Sequence, residues 1–96
     1  MFLFYSVHYP YPDTEALLVQ SMHIFGEVMS KQPGFVFVAP YPFKDPEKGT
    51  LMGISMWASR EAFGAASITL QNVRDTRPAD DWESKPTEVY MLDSAM

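Results

Sequence analysis

The chain has 96 residues, 47% of them hydrophobic and 20% charged, with a formal net charge of −5 and no cysteine, enough for one domain, 1–96, around a single core. Without cysteine there is no disulfide framework, thiolate metal site or cysteine nucleophile, which fits a reducing cytoplasm. The acidic balance, with basic residues scattered singly from Lys31 to Lys85, argues against nucleic acid or an anionic membrane as the main partner.

The segment Phe2 to Tyr9 alternates aromatic, β-branched and small residues and reads as a strand. No basic residues precede it and no small-residue cleavage site follows, which argues against a signal peptide. No apolar run is long enough to span a bilayer. Pro10-Tyr11-Pro12 ends the strand, since proline cannot donate to a sheet ladder. Asp13 is positioned to cap a helix, with Glu15 set against the positive end of its dipole. From Thr14 to about Gln32, Leu18, Met22, Phe25 and Met29 fall on one line, while Glu15, Gln20, His23 and Glu27 occupy the other side. That is an amphipathic helix, stopped by Pro33-Gly34.

Phe35 to Ala39 reads as a second strand, closed by Pro40 and Pro42. Lys44 to Gly49 is a charged turn rich in breakers, and Thr50 to Trp57 is the returning strand of a hairpin. Ser59 can cap a second helix running to about Arg74, with Phe63, Ala66, Leu70 and Val73 at helical spacing. Asp75 to Pro86 is an acidic loop around Trp82 with room for a short helical turn, and Thr87 to Leu92 forms a last strand. The order β-α-β-β-α-β, with right-handed crossovers, predicts an α+β ferredoxin-like fold: a four-stranded antiparallel sheet with both helices on one face.

The strands are apolar on both faces. Leu3, Tyr5 and Val7 alternate with Phe2, Phe4, Ser6 and His8, and Met52, Ile54 and Met56 with Leu51, Gly53, Ser55 and Trp57. A sheet covered by helices on one side normally turns a polar face to water. Covering about eight large side chains at roughly 1.5–3 kcal/mol each is worth on the order of 10 kcal/mol before losses. A two-fold homodimer, sheet against sheet, is the simplest way to gain it.

Pro33-Gly34-Phe35 leading into the second strand, and Trp57-Ala58-Ser59-Arg60-Glu61-Ala62-Phe63 joining the third strand to the second helix, resemble the antibiotic-biosynthesis-monooxygenase family of dimeric α+β barrels. The layout matches over nearly the whole chain; the specific part is these two stretches. The resemblance implies a sheet-to-sheet dimer and a pocket in each subunit between sheet and helices. It also implies oxygenation without a cofactor, in which an electron-rich phenolate or enolate of the substrate passes an electron to O2. The haem-degrading relatives pair a strand-three tryptophan with an asparagine on the first strand and a histidine on the second helix. Trp57 matches, but Ser6 stands near the asparagine's place and the second helix has no histidine, so that scheme is not expected.

If Trp57 faces the helices, Ser55 and Gly53 do too, beside Phe4, Ser6 and His8 on the first strand. Small and polar residues next to an aromatic leave room for a ligand, unless Phe63, Phe25 and Met22 fill the space. His8 is the candidate proton acceptor, since imidazole titrates near neutrality. An ordinary half-exposed histidine at a strand end is the alternative. Phe4, Ser6, Met22, Phe25, Ser55, Trp57, Arg60 and Phe63 are the candidate substrate-binding residues. Arg60 could meet an anionic substrate or form a surface salt bridge. Trp82 could close over the pocket or reach across to the other subunit. His8 and His23 have no metal-ligand spacing and no evident carboxylate partner, so no metal site is expected. The reading is a cofactor-independent monooxygenase for a small aromatic, quinol or polyketide-like molecule. The alternative is a non-catalytic dimer that binds a hydrophobic small molecule or is purely structural.

Overall fold

Three hydrogen-bonded strand pairs make the frame on which everything else is hung. The structure, a computed structural model, describes residues 1–75 and 79–95. Its elements are β1 (Phe2–His8), α1 (Glu15–Ser30), β2 (Phe35–Val38), β3 (Phe43–Lys44), β4 (Leu51–Trp57), α2 (Arg60–Arg74), α3 (Ala79–Trp82) and β5 (Glu88–Asp93). The sheet order is β2-β4-β1-β5, every pair antiparallel. This is the ferredoxin-like arrangement, with two helices on one face.

Two residues, Phe43 and Lys44, pair with Met52 and Leu51 and add a short fifth strand. The turn beyond is tied by Asp45, whose side chain accepts from the Glu47 and Lys48 N–H groups at 2.9 and 3.2 Å. This self-contained turn lets the hairpin grow one step longer than the charge pattern suggests. The α1 N-cap is Thr14, not Asp13, and it makes no side-chain cap bond. Its hydroxyl donates instead to the Trp82 carbonyl at 2.7 Å, so this side chain fastens the acidic segment to the start of α1. Ser59 does cap α2, accepting from Ala62 N–H at 3.1 Å. Of the acidic loop 75–86, residues 76–78 lie outside the described residues; the short helical turn is α3.

The core lies between sheet and helices. Phe2, Phe4, Met29, Trp57, Ala66 and Leu70 form its buried cluster, with Phe25, Val28, Phe35, Val38 and Phe63 packed on it. Trp57 is fully buried and meets Phe35 and Phe63 edge-on. Gly34 closes the α1–β2 connection at φ +82°, where a side chain would also sit 2.4 Å from Ala62 Cβ; a left-handed backbone in so tight a contact calls for glycine.

Among the described residues, the other sheet face carries no helix. Strand pairing aligns Leu3 with Met56, Tyr5 with Ile54 and Val7 with Met52 there, and Tyr90 stacks on Tyr5 with ring centroids 4.7 Å apart. Phe37, Phe43, Tyr90 and Leu92 are exposed along its flanks. Both faces of the sheet are thus apolar, as the alternation of residues predicts.

Candidate functional site

On the helix-facing side, β1 runs Phe2, Phe4, Ser6, His8 and β4 runs Trp57, Ser55, Gly53, Leu51, paired in that order. The aromatic end fills with core. Toward the other end the side chains shrink, and a cavity of about 340 Å³ opens between sheet and α1. Gly53 makes part of that room: a Cβ there would lie 2.8 Å from Met22 Cε and 3.3 Å from Ser6 Oγ. Phe4, Met22, Phe25, Met29 and Val38 supply an apolar wall, while Ser6, His8, Ser55 and Thr87 bring polar groups to it. An engineered cavity of roughly 150 Å³ holds benzene, so this one accommodates a molecule of two or so rings.

His8 is 6% exposed, and both its ring nitrogens are engaged. Nε2 lies 2.9 Å from Ser6 Oγ. Nδ1 lies 3.3 Å from Glu83 Oε2 and 3.3 Å from Thr87 Oγ1. Glu83 is itself 8% exposed. Its Oε1 accepts from Tyr9 N–H at 3.0 Å and its Oε2 from the Thr87 hydroxyl at 2.8 Å. An acceptor-only carboxylate at Nδ1 selects the tautomer in which Nδ1–H donates to Glu83 and Nε2 keeps its lone pair. That lone pair then accepts from the Ser6 O–H at the cavity wall. Burial pushes the Glu83 carboxyl up, but the hydrogen bonds from His8, Tyr9 N–H and Thr87 outweigh it and hold the group below its ordinary value.

The approach of Glu83 to His8 is built by the sheet. Because β5 lies antiparallel beside β1, with Val7 opposite Glu88, the residues entering β5 arrive at the end of β1. Ser84 N–H donates to the Tyr9 carbonyl at 2.8 Å, and Pro10 and Glu83 form an isolated bridge. His8 therefore has the carboxylate neighbour that its sequence surroundings do not offer, 75 residues away. Glu83 and Thr87 are the partners of His8 that sequence spacing misses.

Of the sequence candidates, Phe4, Ser6, His8, Met22, Phe25 and Ser55 line the cavity, whereas Trp57, Arg60 and Phe63 do not. Trp57 turns its ring into the core, and its Nε1–H donates to Ser55 Oγ at 3.0 Å. Phe63 stacks on Phe4 at 4.7 Å, behind the wall. Arg60 takes the salt-bridge alternative, with Nη2 2.8 Å from Asp93 Oδ2 and its guanidinium over Phe2. Among the described residues, the arginine that does reach the cavity is Arg74, 5.9 Å from the Phe25 ring centre. His23 is half-exposed: its Nδ1–H donates to the Pro40 carbonyl at 2.8 Å and its ring stacks on Tyr41. Trp82 is half-buried at the start of α1 and is not part of the cavity wall.

No protein-family model and no curated protein sequence matches the chain. Solved structures match over essentially its whole length. A Nitrosomonas europaea protein provisionally named an antibiotic biosynthesis monooxygenase superimposes with a TM-score of 0.81 at 14% identity, covering 100% of both chains. Rv0793 from Mycobacterium tuberculosis gives 0.79 at 17% identity, covering 99% of this chain and 98% of its own. SnoaB from Streptomyces nogalater, a cofactor-independent oxygenase, gives 0.74 at 12% identity, covering 99% and 94%. At these identities the likeness is one of fold, and the chain has the ferredoxin-like α+β fold found in antibiotic biosynthesis monooxygenases.

Proposed function

We propose that the protein is a cofactor-independent monooxygenase for a small aromatic, quinol or polyketide-like substrate, working as a homodimer paired through its open sheet face. The observation that carries this reading is His8, which lines an apolar cavity with its Nε2 bonded to the Ser6 hydroxyl of the cavity wall and its Nδ1 to a buried carboxylate. A weakly acidic hydroxyl or activated CH of a bound ring gives its proton to Nε2, reached directly or through the Ser6 hydroxyl. Glu83 stabilises the imidazolium that results. The anion left behind in an apolar, poorly hydrated cavity is electron-rich and can pass an electron to O2. The superoxide and the substrate radical join as a peroxide on the ring carbon, protonated by His8; the O–O bond then breaks as that carbon loses its remaining hydrogen, so one oxygen stays as a carbonyl and the other leaves as water. Phe4, Met22, Phe25 and Met29 keep competing water away, and Ser55 offers a hydroxyl to a second oxygen of the ring. The solved structure of SnoaB, named a cofactor-independent oxygenase, supports the general kind of activity on this fold.

The test is oxygen uptake with anthrones, naphthols and hydroquinones, with no flavin or metal added. The expected result is uptake matched to product, falling by about 10²–10⁴-fold in His8→Ala. Saturable binding of the same molecules without oxygen uptake would replace the enzyme with a binding module. Uptake undiminished in His8→Ala would remove His8 from the reaction.

A further inference from the structure

The hydrogen-bonded chain Ser6–His8–Glu83 has a second chemical meaning that proton abstraction does not use. Its order is hydroxyl, imidazole, carboxylate: Ser6 Oγ at 2.9 Å from Nε2 and Nδ1 at 3.3 Å from Glu83 Oε2. Such a constellation is recognised by geometry and roles rather than by order along the chain. The imidazole is held by a carboxylate that is buried and fixed through both oxygens. The hydroxyl reaches the cavity wall. From this geometry we infer that Ser6 is a nucleophile, and that the cavity hydrolyses activated acyl compounds, aryl esters and thioesters, whose aromatic part fits the apolar wall.

The bonds balance without an oxidant or cofactor. Ser6 Oγ attacks the acyl carbon while its proton passes to His8 Nε2, and Glu83 stabilises the imidazolium. The carbon–oxygen or carbon–sulfur bond to the leaving group breaks, and that group takes the proton from His8. Water, deprotonated by His8, then attacks the acyl-Ser6 ester, the bond to Oγ breaks, and the proton returns to Ser6. The charge that develops on the acyl oxygen needs a donor. Ser55, 1% exposed, lines the same wall, one same-face position along β4 from the Gly53 that pairs with Ser6. Its oxygen already accepts from Trp57 Nε1–H, which leaves its own O–H to donate. One hydroxyl in place of the usual pair of backbone amides stabilises less charge, hence the restriction to good leaving groups.

The experiment uses the full chain with 2-naphthyl acetate and p-nitrophenyl acetate, followed by mass spectrometry of the quenched protein. The expected result is a burst of released phenol, an acetyl group on the peptide carrying Ser6, and steady turnover. Ser6→Ala abolishes burst and adduct, and lowers turnover about 10³-fold or more, toward the uncatalysed rate; Glu83→Gln keeps the adduct but slows its formation. Since serine and alanine are of similar size, folding of Ser6→Ala is checked by its thermal transition. Acetyl on lysine or tyrosine alone, turnover that survives in Ser6→Ala, or no turnover at all would each overturn the inference. Oxygen uptake is measured on phenols without acyl groups, so a failed ester assay and a failed oxygenation assay are separate results.

Discussion

Met56→Glu is expected to leave the chain folded and to turn the proposed homodimer into a monomer. Met56 lies on the open face of β4, opposite Leu3 on β1 and Phe37 on β2. It is half-buried in the single chain. A carboxylate there can reach water in the monomer, so the fold survives. Across a two-fold interface through this face the change is made twice, and each charge must be stripped of water against an apolar surface. A buried charge without a partner costs roughly 3–5 kcal/mol, which raises the dissociation constant by more than about 100-fold. Sedimentation at micromolar concentration reads the outcome. A wild-type protein that sediments as a monomer, or a variant that stays dimeric, contradicts pairing through this face.

Glu83→Gln lowers stability most at neutral pH, and the loss shrinks in acid. Glu83 is held below its ordinary value of 4.5, so in the unfolded chain the group takes up its proton at higher pH than in the folded one. Its contribution is therefore fully present above about pH 4.5 and is lost as pH falls through the lower folded value. The amide keeps one acceptor but puts an N–H₂ among the Tyr9 N–H, Thr87 and His8 donors. The expected penalty near pH 7 is about 1–3 kcal/mol, or roughly 4–8 °C in melting temperature for each kcal/mol in a domain of this size. Melting curves of both proteins from neutral pH to below pH 4 read it. A gap that is constant or widens in acid would mean that the carboxylate is not the group His8 and Tyr9 rely on.

The fold was legible because local signals and topology agree. The Leu18–Met22–Phe25–Met29 line makes α1, Ser59 caps α2, and Pro33-Gly34 forces the turn that only a positive φ and a missing Cβ allow. The two-faced strands follow from alternation alone. Local signals misled where side chains serve distant partners. Thr14 displaces Asp13 at the α1 cap because its hydroxyl holds the Trp82 carbonyl. Arg60 leaves the cavity because Asp93, at the end of β5, is near.

The site was half legible for the same reason. Ser6, His8 and Ser55 stand on one face by strand period, and Gly53 marks the space between them. Glu83 has no periodic or motif signal; it is one of several acidic residues in a loop. A topological signal did exist: in this strand order the last strand runs antiparallel beside the first, so the residues entering it fall at His8. That rule brings the stretch before Thr87 to His8, but it does not choose Glu83 over its acidic neighbours; the step out of regular register that bridges Glu83 to Pro10 does so.

In the proposed mechanism Glu83 holds His8 as an oriented base at the wall of a ligand cavity. Long-range ¹H–¹⁵N NMR of the His8 ring, with and without 1-naphthol, tests it most directly. The expected result is the Nδ1–H tautomer in the free protein at neutral pH, with the Nε2 resonance moving on addition of ligand and the tautomer lost in Glu83→Gln. An Nε2–H tautomer in the free protein, or an Nε2 resonance indifferent to saturating naphthol, would contradict it.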